Sequence, residues 1–322
     1  MKSSLSALSS SSSRPAVPEP RVSVWEQYKK CKYLLVMLIP LFLYYLIFEY
    51  GPLYGVQIAF KDYQIRAGIW ESPWAGIKHF DYMFTASPEF YRILWNTVVI
   101  SFYHLIFGFP APILLALLFN ELRIGWFKKL SQTISYLPHF LSWVVLGGLL
   151  ITILSPTTGA VNAVLEWLGF APIYFLGDPD YFRFTLVVSS IWKEIGWGTI
   201  IYLAALTGID PHLYEAARMD GAGRWKQTLH ITLPGIMHVI AILFIFRTGQ
   251  VLNAGFDQIF NLYNPAVYSV ADILDTYVYR VGLTQLQYSF TTAVGLFKNV
   301  IAFSLVLLTN YVVKKLGQEG IL

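Results

Sequence analysis

Four charged residues interrupt otherwise apolar stretches of this chain: Lys193 and Glu194 side by side, then Arg247, then Lys298. Left unpaired at the centre of a bilayer, each would cost roughly 2.5 to 3.5 kcal/mol, so each must meet a partner, water or a bound polar group. Trp192, Trp197, Gln250, Asn253 and Asn299 stand close to them in sequence. Two uses fit this set. Glu194 can pair with Arg247 or Lys298 and lock helices together, or the groups can line a polar path. Three cations against one acid leave at least two cations without an intramembrane acid in this chain. That excess suits an acidic solute and is equally met by acids on a partner subunit, while Lys193 can also snorkel to a nearby surface.

No reaction centre accompanies them. A phosphate loop needs GxxxxGK followed by Ser or Thr, and no glycine here is followed by lysine. The pair Gly221 and Gly223 lacks the third glycine and the strand of a dinucleotide loop. HExxH and GxSxG motifs are missing as well, so the chain reads as a non-enzyme. Cys31, the lone cysteine, can form neither an intramolecular disulfide nor a zinc site.

The elements that must position these charges follow from composition. The 322 residues are 56% hydrophobic, 17% aromatic and 13% charged, about half the charge supply of a soluble domain, roughly 25%. Mean hydropathy is +0.53. An ordinary soluble globule is excluded, and a net charge of +4 is too mild to argue for a nucleic-acid partner. Six stretches approach or exceed the roughly 20 residues that cross a bilayer as helix: 33–53, 94–119, 134–154, 186–206, 235–253 and 293–313. The fold class is an all-α membrane protein with six transmembrane helices. Prolines at 40, 110, 112 and 138 bend apolar runs and favour a packed bundle over isolated anchors.

If the N-terminus is cytoplasmic, 14 of the 23 basic residues fall in inside segments and six in outside segments, so the positive-inside rule places both termini in the cytoplasm. Residues 1–30 read as a disordered Ser- and Pro-rich cytoplasmic tail, 31–60 as the first transmembrane helix, 61–92 as an extracytoplasmic loop, and 93–313 as a core of five further helices. Residues 314–322 form a C-terminal tail. No apolar h-region precedes residue 33, so the first span reads as a retained anchor, not a signal peptide.

Within the core, the loop 208–234 is more than a connector. Asp210 followed by Pro211 is an N-cap with proline at the first helical position, residues 214–219 suit a helix, and Gly221 supplies the stop. A second short helix is expected from Arg224 to about Thr232, ending against Pro234. Tyr214, Met219, Trp225 and Leu229 offer apolar anchors amid charges, and Ala216, Ala217, Gly221, Ala222 and Gly223 permit close approach of another surface. Packing on its own bundle is the competing use.

These residues carry a resemblance. Glu215-Ala216-Ala217, then Asp220-Gly221-Ala222, then Ile231-Thr232-Leu233-Pro234 resembles the EAA motif of permease subunits of ATP-binding-cassette importers, with three residues between Ala217 and Gly221 and nine between Gly221 and Ile231. The phrases SPWAGIKHF, FGFPAPILLALLFNE, ISYLPHFLSWVV, IWKEIGWGTIIYLAAL, GFDQIFNLYNPAVY and DILDTYVYR extend the resemblance along nearly the whole chain. They are similar to the subfamily serving oligosaccharides and polysaccharide fragments, including the larger permease of bacterial alginate importers.

The resemblance implies a type I importer permease in the bacterial cytoplasmic membrane. It would pair with a second homologous permease, with two cytoplasmic ATPase subunits beneath and an extracytoplasmic substrate-binding protein above. ATP and Mg would be bound by the ATPases, and no cofactor by this chain. The EAA segment, with Asp220 among its ATPase-coupling residues, would be a coupling helix, with Glu215 contacting an ATPase basic residue, Ala216 and Ala217 forming the close-approach surface, and Gly221 the turn. Trp192, Lys193, Glu194, Trp197, Arg247, Gln250, Asn253, Lys298 and Asn299 would line the sugar path, since aromatic faces stack on sugar rings while amides and charges bind hydroxyls or carboxylates. Asp257, Tyr263, Asp272 and Asp275 in the outer loop 254–287 would dock the binding protein, unless that loop rests on the membrane interface, a zone that Trp and Tyr favour. A secondary transporter or channel without ATPase is the alternative. It would require repeat symmetry and ion-relay carboxylates in the spans, and Glu194 is the one clear intramembrane acid.

Overall fold

The computed structural model describes residues 31–318 and 320. The tail 1–30 and the last residues of the C-terminal tail lie outside the described residues. Among those described, helix is the regular structure, and extended pairing is limited to two isolated bridges, Lys61 with Trp74 and Gln64 with Gly68.

The chain divides into a unit ending at Gly55 and a unit beginning at Val56. In the first, α1 (Lys32–Tyr45) passes through Pro40 without interruption and continues into a π turn, Leu46–Tyr50. None of its side chains is buried, which in water would be prohibitive and in hydrocarbon is the favourable arrangement. The helical run Lys32–Phe60 is long and apolar enough to cross a membrane.

The second unit opens with α2 (Lys78–Thr85) and α3 (Pro88–Tyr103). A π turn, His104–Gly108, joins α3 to α4 (Pro110–Glu121), so that Pro110 falls at a helix start, where its missing N–H is least costly. The helical run Pro88–Glu121 is likewise long and apolar enough to cross a membrane. Next come α5 (Gly125–Tyr136), α6 (Trp143–Ile153) and the 28-residue α7 (Pro179–Leu206), whose N-terminus is capped by Asp178 accepting from the Asp180 amide at 3.0 Å. The hairpin helices α8 (Pro211–Met219) and α9 (Arg224–Gln227) precede α10 (Met237–Gly249), α11 (Phe256–Leu262), α12 (Leu274–Val278) and α13 (Tyr288–Lys315), which is also long and apolar enough to cross a membrane.

At the centre, α7 lies along α4 and α5 and touches α10 and α11. Its buried face contributes Phe182 and Leu186 to a cluster with Ile100, Ile259, Leu262 and Ile273, and Tyr202 and Leu206 to another with Ile113, Ala116 and Ile236. A third cluster joins Phe90 and Ile93 to Leu274, Phe290 and Val294. Helix α10 packs on α13.

Two expected spans are not straight. The stretch 134–154 breaks between Phe140 and Trp143, where the axes turn by 106°, and 235–253 is bent by 60° from the preceding helical segment. Pro138 removes one donor, and a 3-10 turn at Leu137–Phe140 leads into extended backbone at Leu141 and Ser142. The carbonyls freed there are met by Lys193, whose Nζ donates to the oxygens of His139 (2.7 Å) and Leu141 (2.9 Å). Lys193 is therefore buried and holds backbone, and it does not line the pocket that gathers Glu194 and Arg247. The fourth expected span belongs to α7, whose 28 residues at about 1.5 Å per residue are long enough to cross. The segment 254–287 is not a plain surface loop: Ile259, Leu262, Val267, Ala271 and Ile273 are buried core.

Close packing at the break generates a prediction. A Cβ on Gly196 would lie 2.0 Å from the Ser135 carbonyl oxygen, whereas Gly148 faces open space. Gly196→Ala should lower the melting temperature in detergent, with an overpacking cost of about 1–3 kcal/mol, and Gly148→Ala should leave it unchanged.

Candidate functional site

The hairpin between α7 and α10 is built by local rules. Asp210 caps α8 by accepting from the His212 amide at 2.9 Å, with Pro211 following it. At the other end Gly221 takes φ +74°, the Gly221 amide donates to Arg218 and the Ala222 amide to Ala217, which closes a Schellman turn. Side chains then staple the two arms: Tyr214 and Thr232 hydroxyls meet at 3.0 Å, and the Gln227 amide donates to the Ala222 carbonyl at 2.7 Å. Arg224 reaches back to Glu121 at the end of α4, 3.2 Å away. The second arm does not stop at Pro234. It runs through a π turn, Thr228–Thr232, to Gly235 before the 60° bend.

What the hairpin presents outward is Glu215, paired only loosely with His212 at 3.3 Å, together with Met219 and Trp225, which are 88% and 78% exposed. Ala216, Asp220 and Gly221 are also exposed, and Ala217 is half-buried.

Among the helices, a pocket of about 330 Å³ gathers Glu194 and Trp197 from α7, Arg247 from α10 and Gln250 at its end. Four of the nine expected path residues thus converge. Trp192, Asn253 and Asn299 are exposed away from it, and Lys193 is spent on the break. Lys298 does not reach Glu194: its Nζ pairs with Asp275, 2.5 Å away. Glu194 instead meets His139 Nδ1 at 2.9 Å and Lys193 at 3.7 Å. The His139 ring lies flat on Trp197, with centroids 4.6 Å apart. Among the described residues no carboxylate lies within 4.0 Å of Arg247. Sequence reasoning missed His104, Ser190 and Tyr202 in this wall, since a lone His or Ser in an apolar run carries no spacing signal.

The expected docking carboxylates separate. Asp272 is buried, with its oxygens engaged by both Arg280 nitrogens (2.5 and 3.1 Å) and by the Thr276 hydroxyl (2.7 Å), so it braces the loop and offers nothing to a docking partner. Asp275 is held by Lys298. Tyr263 stacks near Tyr268, centroids 5.0 Å apart, and Asp257 remains exposed.

The chain belongs to the family described as binding-protein-dependent transport system inner membrane component, whose model matches residues 108–318. It is 48% identical to Protein LplB of Bacillus subtilis, over 91% of this chain and 92% of that protein. It is 49% identical to the polygalacturonan/rhamnogalacturonan transport system permease protein YteP of the same organism, over 90% of each. A solved chain from a bacterial alginate ABC transporter, in complex with an alginate pentasaccharide-bound periplasmic protein, superposes with a TM-score of 0.85 at 43% identity, covering 92% of this chain and 99% of that one.

The carboxylates provide a discriminating test. Asp272→Asn leaves a guanidinium without its buried partner and should destabilise the protein by about 3–5 kcal/mol, read as a fall in detergent melting temperature. Asp257→Asn should not.

Proposed function

We propose that this permease moves oligosaccharides or polysaccharide fragments, acidic ones among them, through the cytoplasmic membrane of a bacterium, driven by ATPase subunits outside this chain. The observation carrying the reading is the pocket: Arg247 shares it with Glu194 but has no carboxylate within 4.0 Å among the described residues, and stands beside Gln250 and Trp197. Such a group binds a carboxylate in bidentate fashion, and Trp197 supplies a stacking plane. Polygalacturonan and alginate, the solutes named for two similar proteins, are chains of uronic acids. This reading keeps Glu194, Trp197, Arg247 and Gln250 in the path and drops the remaining residues of the expected set.

The hairpin is read as the coupling element. Glu215, Met219 and Trp225 would seat in a groove of an ATPase subunit, with Ala216, Ala217, Asp220 and Gly221 shaping the close contact. The complete machine would hold a second homologous permease, two ATPases that bind ATP and Mg, and an extracytoplasmic binding protein docking near Asp257. Both termini and the hairpin would face the cytoplasm, the side on which 14 of 23 basic residues would then fall. This chain would bind no cofactor.

Two measurements test this. Arg247→Gln should reduce uptake of a uronic-acid oligosaccharide tenfold to about a hundredfold, the loss of one charged hydrogen-bonding partner, while uptake of a neutral oligosaccharide persists; equal losses would refute charge recognition. Glu215→Lys should abolish co-purification of the ATPase, and survival of ATPase binding after replacement of residues 215–221 would sink the coupling role.

A further inference from the structure

A second recess, about 590 Å³ in volume, opens where the end of α4 meets the hairpin. Three arginines line it: Arg123 from the segment after α4, Arg218 from α8 and Arg224 from α9. Asn120 and Tyr214 add polar wall. The recess holds one carboxylate, Glu121, and Arg224 takes it at 3.2 Å. Among the described residues no carboxylate stands within 4.0 Å of Arg123 or Arg218. Three like charges brought together around one acid repel each other, and the arrangement is short of negative charge.

The depth of the recess is set by the sequence. Helix α4 is apolar until Asn120 and Glu121, so its last turn is where hydrocarbon gives way to headgroups. Just beyond, Ile124 and Trp126 are 57% and 69% exposed, and tryptophan favours that zone. Basic pockets at the ends of spanning helices are suited to lipid phosphates. The fork of a guanidinium matches the oxygens of a phosphate in a way an ammonium does not.

On α8, Tyr214 and Arg218 line the recess one turn apart, whereas Glu215 and Met219 form the neighbouring stripe and do not line it. The two surfaces can therefore be tested independently, and the recess does not depend on whether an ATPase grips the hairpin.

We propose that Arg123, Arg218 and Arg224 form a site for a phosphate-bearing anion, supplied by a phospholipid headgroup or by a soluble phosphate ester. The full-length chain, purified with the subunits that accompany it, would be reconstituted in nanodiscs of phosphatidylcholine with and without phosphatidylglycerol, and retained lipids counted by native mass spectrometry. The wild type should retain phosphatidylglycerol in preference. The Arg123→Gln, Arg218→Gln double variant should retain it roughly thirtyfold less, at about fivefold per basic side chain. Glu121→Gln should act in the opposite direction, tightening retention by removing the competing acid, and this keeps the proposal open to refutation should the double variant fail to fold. Displacement of phosphatidylglycerol by millimolar glycerol phosphate supports the site and assigns it to a soluble ester; retention in its presence supports the site and assigns it to lipid. Equal retention by wild type, double variant and Glu121→Gln overturns the proposal. So does loss of the ATPase from the double variant with its lipid count unchanged, since the guanidiniums would then serve a protein acid.

Discussion

Backbone carbonyls released inside hydrocarbon must find a donor, and this bundle depends on how one such demand is met. The turn between α5 and α6 leaves the oxygens of His139 and Leu141 without helical partners, and a single ammonium, Lys193, serves both. Each unsatisfied group would cost several kcal/mol in lipid. Because Lys193 comes from the middle of α7, the same bond that permits the break also fixes it against the central helix. Glu194, the next residue, then points to the pocket and is steadied by His139. A sharp corner, a helix contact and one wall of the polar site thus rest on two adjacent residues.

The hairpin was readable from the sequence because its determinants are local. Asp210, Pro211 and Gly221 act on backbone within a few residues, and each does in the structure what its chemistry dictates. The pocket was readable only in part. Glu194, Trp197, Arg247 and Gln250 could be proposed as polar groups in apolar runs, but which of nine such residues share a cavity depends on helix rotation and on bends at 140–143 and 236. Hydropathy does not encode either. A π turn such as His104–Gly108 shifts every later residue around the helix axis, and it leaves no mark in composition.

Charge pairing is hidden for a different reason. Lys298 lies in an apolar run, whereas its acid, Asp275, lies 23 residues earlier in a segment whose charges give it the look of a surface loop. Asp272 and Arg280, eight residues apart, satisfy each other in the same segment. The stretch 254–287 has enough charge to look like surface and enough Ile, Leu and Val to form core. The internal ion pairs let it do the second, since charges that neutralise one another can be folded inward with apolar neighbours.

The hairpin's own bonds have an entropic consequence. Ordering a backbone residue costs about 1–2 kcal/mol in lost conformational freedom, and a flexible loop would bear that cost whenever something took hold of it. Here the Schellman turn, the Tyr214–Thr232 contact and the Arg224–Glu121 pair have frozen the loop before any encounter. A body that seized Met219 and Trp225 would gain their burial without first having to order the chain that carries them.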